Sequence, residues 1–147
     1  VVAVDPATGA RNRAAARIGD FARPVRWVAL DGERLPLEDA SVDTVVAAFT
    51  LCTIPDVEAA LAEARRVLKP SGQFRYLEHG LHPDPKVAVW QRRIEPVWKV
   101  LAGGCHLTRD ADELVRAAGF DLVESEHHSM PGPRFSTALY EGVAIPA

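Results

Sequence analysis

Four apolar runs of the sequence end in residues that could bind a ligand. They are Asp5, Asp31, the pair Phe49-Thr50 and the pair Glu78-His79. In open α/β sheets, ligands bind outside the carboxyl ends of the strands, near the point where the strand order reverses. We therefore expect these positions, drawn from four separate runs, to border one crevice.

Two of these acids, Asp5 and Asp31, could bind a nucleoside. A carboxylate at the position of Asp5 can accept hydrogen bonds from both hydroxyls of a ribose, although Asp-Pro also commonly starts a turn. Asp31 could bind an adenine amino group while Gly32 lets the backbone approach closely, yet Asp-Gly is also a frequent turn dipeptide. The spacing alone leaves both interpretations open for each acid.

Other side chains are weaker candidates for chemistry. Glu78 and His79 could serve as a catalytic base, but the interpretation that they tie down the following loop is favoured. Cys105-His106 resembles a nucleophile pair, but sequence neighbours rarely face each other productively, which favours a structural role. His127-His128 lie in a predicted strand and would point to opposite faces, so they cannot share an ion. The sequence supports no metal site.

Apolar patterning predicts the elements that position these residues. Short β-branched runs at 1–4, 25–30 and 41–49 predict buried strands, and QFRYLEHG predicts a fourth. Helical spacing predicts a helix from Thr8 to about Phe21 and another that begins at Pro55-Asp56 and is stopped by Pro70-Ser71-Gly72.

The second half of the chain is predicted to add an insert and an antiparallel pair. An amphipathic helix covers Val87–Leu101 and is interrupted at Pro96, and a further helix is capped by Thr108 and ends at Gly119. Two final strand-like runs have no helix between them and must pair antiparallel. This order predicts a Rossmann-like, doubly wound, mostly parallel α/β sheet with an antiparallel final strand.

Composition narrows the classes of partner. The 147 residues are 48% hydrophobic and 25% charged, with a net charge of −3 and dispersed basic residues, which argues against nucleic acid. No run approaches the roughly 20 apolar residues of an integral membrane segment. Cys52 and Cys105 are too few and too far apart for a disulfide framework or a four-ligand zinc site, which favours a cytoplasmic location. Composition does not indicate the oligomeric state.

Two stretches resemble a known family. LDGERLPLEDASVDTVVAAFTLCTIPDVEAALAEARRVLKPSGQFRYLEHG is similar to the central part of the methyltransferase-11 family, which includes ubiquinone/menaquinone-type C-methyltransferases. EPVWKVLAGGCHLTRD resembles the branch of methyltransferase-like proteins that methylate small thiols. The resemblance implies a class I methyltransferase that uses S-adenosylmethionine, with strand order 3-2-1-4-5-7-6 and strand 7 antiparallel.

The resemblance also assigns residues to the cofactor, which would lie over strands 1, 2 and 4. It places the ribose at Asp5, the adenine at Asp31 with Gly32 or the adjoining Glu33, and the methionine side at Phe49, Thr50 and Leu51. The family's first strand and its G-x-G-x-G loop have no counterpart in these residues. We therefore expect residues 1–147 to be one N-terminally incomplete domain, with a gap between strands 2 and 4.

The helical insert is the expected determinant of the methyl acceptor. Trp90 and Trp98 could roof an apolar pocket, or could be core residues that pack the insert onto the sheet. A pocket would favour a small hydrophobic acceptor (a thiol, a quinol or a lipid-like molecule), methylated by in-line displacement. The alternatives are a non-catalytic interaction module and a nicotinamide-dependent reductase. The antiparallel final pair disfavours the reductase.

Overall fold

A computed structural model describes residues 1–18, 23–30 and 32–147. Predictions that involve Phe21 and Asp31 therefore lie outside the described residues. The elements in chain order are β1 (Val2–Val4), α1 (Thr8–Ile18), β2 (Arg26–Val28), β3 (Val42–Ala48), α2 (Val57–Val67), β4 (Leu68–His79), α3 (Pro85–Leu101), α4 (Ala111–Ala117), β5 (Phe120–Ser129) and β6 (Ala138–Pro146).

The strands form two sheets. β1 pairs in parallel with β2, and the second sheet has the order β3-β4-β6-β5. β3 and β4 are parallel, while β6 runs antiparallel to both β4 and β5. The predicted α/β class with an antiparallel final strand is confirmed. Written across both sheets, β2-β1 and β3-β4-β6-β5 correspond to strands 3-2 and 4-5-7-6 of the expected order, and strand 1 would fall between β1 and β3.

The core belongs to the second sheet. Its cluster of buried side chains runs from Ala47 to Ala144 and is centred on Phe74, Leu61 and Val115. Phe74 stacks near Tyr76 and Phe120 on one face of the sheet. α2 covers that face because its apolar residues recur at helical spacing, whereas α1 has no buried residue. The second sheet therefore has a core of its own.

The end of α2 differs from the prediction. The helix α2 begins as predicted, with Asp56 Oδ1 accepting a hydrogen bond from Ala59 N at 2.9 Å. However, it ends at Val67 rather than at Pro70-Ser71-Gly72, which lies within β4. The β3–β4 register shifts between Val42 and Thr44, so the Pro-Ser-Gly segment bulges out without a ladder partner. Pro is tolerated at such a bulge because it has no N–H to donate.

The other differences concern α3 and α4. α3 is continuous from Pro85 to Leu101 although it contains Pro96. Pro96 is exposed, and a proline inside a helix removes one hydrogen bond and crowds the carbonyl four residues earlier, which bends a helix without always ending it. Asp110, not Thr108, caps α4, through a 3.0 Å bond from Glu113 N. None of the helices in the described ranges is long and apolar enough to cross a bilayer.

One glycine allows β4 and β6 to pair closely. A Cβ added to Gly142 would lie 2.3 Å from Tyr76 Cζ and Oη, and Tyr76 is held there because its hydroxyl donates to Asp112 Oδ1 at 2.6 Å. We expect Gly142→Ala to lower the free energy of unfolding by about 1–3 kcal/mol through overpacking, measured by urea denaturation. Gly9→Ala is the control, since nothing lies within 4 Å of its added Cβ. Equal stability of the two variants would contradict this account.

Candidate functional site

The loop after β3 begins with a strained residue. Phe49 has a φ of +52°, in the left-handed region, and its N–H donates to Leu77 O at 2.9 Å. Its side chain is 47% exposed although it is a large apolar group. A bulky residue in this conformation costs about 1–3 kcal/mol, and such strain clusters at ligand sites. Phe49, at one of the four predicted strand ends, thus combines a strained backbone with an exposed apolar side chain, as residues at ligand sites often do.

Glu78, at the end of β4, holds this loop in place. Its Oε1 accepts hydrogen bonds from Thr50 N at 2.9 Å, from Leu51 N at 3.0 Å and from Thr50 Oγ1 at 3.2 Å. The side chain is only 1% exposed. Burial raises the pKa of Glu78, and the N–H groups of Leu51 and Thr50 oppose that rise. Glu78 thus holds the loop after β3, rather than the loop that follows β4 as the sequence suggested, while a catalytic role stays a prediction.

Arg109 holds the same loop through the loop's carbonyl groups. Its guanidinium donates to the carbonyl oxygens of Leu51, of Ile54 at 2.8 Å and of Pro55 at 3.3 Å. Its own carbonyl accepts from Leu81 N at 2.9 Å, just after β4. Gly80 permits this approach, because a Cβ there would lie 2.2 Å from Arg109 O. The ends of β3 and β4 and the segment before α4 are therefore fixed to one another.

Of the residues predicted to bind the nucleoside, Asp5 follows β1, Gly32 and Glu33 follow β2, and Asp31 lies outside the described residues. Asp5 Oδ1 accepts from Ala7 N at 2.7 Å, which is the turn that Asp-Pro can start. Oδ2 has no donor within the described ranges, so a ribose role stays a prediction. Gly32 has a φ of +91°, a conformation that favours glycine. Glu33 Oε1 accepts from Asp56 N at 2.9 Å and so links the loop after β2 to the start of α2.

Three side chains that carry sulfur or nitrogen donor atoms lie close together at this end of the sheet. Cys52, His79 and Cys105 place their side-chain donor atoms within 4.8 Å of one another, with Cys105 Sγ 3.6 Å from His79 Nδ1. The hydrogen bond from Cys52 lowers the pKa of Cys105, helped by His79, and the same bond raises the pKa of Cys52. The fold therefore makes Cys105 the more acidic thiol of this group, which we call the Cys-His-Cys cluster.

In Cys105-His106 and His127-His128, no residue pairs with its neighbour in sequence, as predicted. The partner of Cys105 is His79, whereas His106 Nδ1 lies 3.2 Å from Glu95 Oε1. His127 Nε2 lies 3.1 Å from Asp112, and His128 instead approaches two acids of the other face. The pattern that could have indicated the cluster is positional: His79 ends β4, and Cys52 lies shortly after the end of the adjacent parallel strand β3.

The two tryptophans of α3 have different surroundings. Trp98 contacts Phe135 edge-on, with 5.4 Å between the ring centroids. Its indole N–H has no hydrogen-bond partner by distance and angle among the described residues, but it lies close enough to Cys105 to help lower the pKa of that thiol. Trp90 stacks on Phe135 at 6.4 Å and is 57% exposed. It borders an open pocket of about 330 Å³ with Lys86, Val87, Arg134 and Phe135. Trp98 thus resembles a packing residue and Trp90 a pocket residue.

The family follows from the sequence that builds β1 to β4. Residues 1–76 match the model of the family described as Methyltransferase domain. The chain belongs to this family. The predicted membership among class I, S-adenosylmethionine-dependent methyltransferases is thereby confirmed, and S-adenosylmethionine is the cofactor of this class.

Curated relatives of this methyltransferase domain act on different acceptors. It is 38% identical over 108 residues to thiol S-methyltransferase TMT1B of Rattus norvegicus and 34% identical over 108 residues to human thiol S-methyltransferase TMT1A. Each match covers 72% of the chain and 44% of the relative. It is also 50% identical to ubiquinone/menaquinone biosynthesis C-methyltransferase UbiE of Caulobacter sp. (strain K31), over 54 residues, or 37% of the chain and 21% of UbiE. The chain spans less than half the length of these relatives.

Solved structures confirm the fold of the methyltransferase domain. A SAM-dependent methyltransferase from Methanosarcina mazei matches 99% of the chain and 81% of its own, with a TM-score of 0.73 and 16% identity. The trans-methyltransferase CalH, in complex with SAH, matches 99% of the chain and 42% of its own (TM-score 0.69, 22% identity). The [4+2]-cyclase SpnF matches 99% and 65% (TM-score 0.74, 18% identity). Because a cyclase shares the fold, the reaction has to be argued from the site.

Proposed function

We propose that the methyltransferase domain transfers the methyl group of S-adenosylmethionine to the sulfur of a small thiol. The observation that carries the proposal is the loop of Phe49, Thr50 and Leu51, which Glu78 fixes at the carboxyl ends of β3 and β4. This is the edge of the sheet where α/β folds bind ligands. The likeness to thiol S-methyltransferases over 72% of the chain supports sulfur as the acceptor atom.

The proposed cofactor contacts follow the strand ends. Asp5 would bind the ribose through Oδ2, Asp31 or Glu33 beside Gly32 would face the adenine, and Phe49, Thr50 and Leu51 would line the methionine side. Among these, Glu33 already accepts a hydrogen bond from Asp56 N. It would therefore contribute as part of a preformed loop.

The proposed reaction asks the protein mainly for alignment and exclusion of water. The acceptor thiol would lose its proton to water, and its sulfur would attack the methyl carbon in line with the departing sulfonium sulfur, which would keep the electron pair of the broken bond. Glu78 is given a positioning role, because its Oε1 accepts three hydrogen bonds from the loop, and the base role that Oε2 would allow is tested separately. The exposed Phe49 and Trp90 offer apolar surface that would exclude water.

The test is transfer of a labelled methyl group from S-adenosylmethionine to a panel of small thiols, quinols and lipids. A methyl thioether as the main product supports the proposal. Methylation of quinol carbon alone would favour the second candidate, which rests on the 50% identity to UbiE over 54 residues. Cofactor binding without methylation of any acceptor would favour a non-catalytic module.

The tryptophans of α3 offer a separate prediction. We expect Trp90→Ala to raise the KM for the acceptor about 2- to 10-fold and to leave S-adenosylmethionine affinity unchanged, because one exposed aromatic contact contributes about 0.5–1.5 kcal/mol. Trp98→Ala should instead lower the melting temperature, since Trp98 packs on Phe135. Steady-state kinetics, cofactor titration and thermal melts check the pair. Loss of both affinities in Trp90→Ala would show that Trp90 is a packing residue.

A further inference from the structure

We propose that Cys52, His79 and Cys105 bind a zinc-type divalent metal ion and leave one coordination position open. The cluster contains both cysteines of the chain. They come from separate segments: Cys52 follows β3, His79 ends β4 and Cys105 lies between α3 and α4. The proposal concerns metal binding and does not depend on which acceptor is methylated.

The spacing of the donor atoms suits tetrahedral coordination. Bond lengths of about 2.3 Å for Zn–S and about 2.0 Å for Zn–N place sulfur and nitrogen ligands about 3.5 Å apart in a tetrahedron, and two sulfurs about 3.8 Å apart. Cys105 Sγ lies 3.6 Å from His79 Nδ1, and all three donor atoms lie within 4.8 Å of one another. An ion would therefore fit with little movement of the side chains.

Backbone contacts fix the three segments before any ion binds. His106 N donates to Cys52 O at 2.7 Å, which joins the two cysteine loops directly. The guanidinium of Arg109 donates to Ile54 O at 2.8 Å, and Arg109 O accepts from Leu81 N at 2.9 Å beside His79. A site whose ligands are held in place loses little conformational entropy on binding an ion.

The histidine of the cluster lacks ordinary hydrogen-bond partners. His79 is 7% exposed, its Nε2 has no partner among the described residues, and its Nδ1 faces only the sulfur of Cys105. A nitrogen whose recorded partner is a thiol can bind an ion without giving up a stronger hydrogen bond, and Nε2 would then carry the proton of the ring. Coordination by Nδ1 would give this ring a strong bond at the position it already occupies.

The chemistry of the donors selects the class of ion. Thiolate and imidazole ligands favour zinc and other soft or borderline ions over magnesium and calcium, which prefer oxygen. Two thiolates also balance the charge of a divalent ion, which suits a partly buried position. Three protein ligands leave a fourth tetrahedral position for water or a substrate atom, as in zinc sites that take part in catalysis.

The experiment titrates the full chain, expressed without a polyhistidine tag and fully reduced, with Zn²⁺ and Co²⁺. We expect one Zn²⁺ per chain, protection of both thiols from a thiol reagent until a chelator is added, and a thiolate-to-cobalt absorption band with Co²⁺. Cys52→Ser, Cys105→Ser and His79→Asn should each weaken Zn²⁺ binding by more than about 100-fold, because even residues behind the ligands contribute 10- to 100-fold. His128→Asn is the control and should bind as the parent chain does.

The measurements on the parent chain decide the proposal even if a variant fails to fold. Circular dichroism of the parent chain confirms its secondary structure in the same samples. Absence of the cobalt band, or thiols that react equally fast with and without Zn²⁺, would overturn the proposal. So would Zn²⁺ binding that all three ligand variants retain. A Cys52–Cys105 disulfide that forms in air in preference to Zn²⁺ binding would overturn it as well.

Discussion

Residues 1–147 alone are expected to bind S-adenosylmethionine at least about 100-fold more weakly than a chain that carries an additional strand and a glycine-rich loop before Val1. In the folded protein, that strand would lie in the sheet between β1 and β3. The glycine-rich loop of the family offers backbone N–H groups to the cofactor. Hydrogen bonds to charged groups contribute about 1.5–3 kcal/mol each, so two of them correspond to about a 100-fold change in affinity. In the described ranges, β1 pairs only with β2 and β3 only with β4.

Isothermal titration calorimetry on two proteins checks this expectation. One is residues 1–147, and the other is a chimera in which the first strand and glycine-rich loop of a methyltransferase relative precede Val1. A matched chimera with the loop glycines replaced by alanine separates the contribution of the loop from that of the added strand. Micromolar affinity and a cooperative melt of residues 1–147 alone would refute the expectation and would mean that the two sheets already form a complete site.

The sheet was predictable because its strands have simple signals. The runs at 41–49 and QFRYLEHG are nearly continuous in apolar residues, and the final pair has no room for a crossover helix between its strands. The boundaries were less predictable because they depend on tertiary contacts. Pro70 is accommodated by a bulge against β3, and Pro96 is tolerated on an exposed turn of α3. Neither accommodation is visible in local propensity.

The candidate site was predictable only in part, for a related reason. Strand-end positions such as Glu78 and Phe49 follow from the strand pattern, so the sequence could name them. The Cys-His-Cys cluster forms only because the segment after α3 brings Cys105 back to the sheet. The path of that segment depends on where α3 ends, and no local sequence pattern determines it. Both cysteines were visible in the sequence, but only the fold brings them together at His79.

Glu78→Ala is expected to lower the free energy of unfolding by about 2–4 kcal/mol, because a buried donor that loses its acceptor costs about 1–3 kcal/mol. The donors concerned are the N–H groups of Thr50 and Leu51, both of which bind Glu78 Oε1. The loop that would line the methionine side of the cofactor should loosen as well, so affinity for S-adenosylmethionine should fall together with stability. Urea denaturation and calorimetric titration of the chimera measure the two effects.

Glu78→Gln separates the two roles that the sequence left open for this residue. Glutamine keeps a carbonyl oxygen at the position of Oε1, and its amide nitrogen replaces Oε2, which has no partner within the described part of the chain. If Glu78 positions the loop, this variant should retain most of the stability and most of the methyl-transfer rate that Glu78→Ala loses. If Glu78 is instead the base, Glu78→Gln should keep its stability and lose about 100-fold or more in kcat, since glutamine cannot accept the proton. Glu124→Gln, an exposed change on β5, controls for the loss of one charge. The three hydrogen bonds on Oε1 lead us to expect the first outcome.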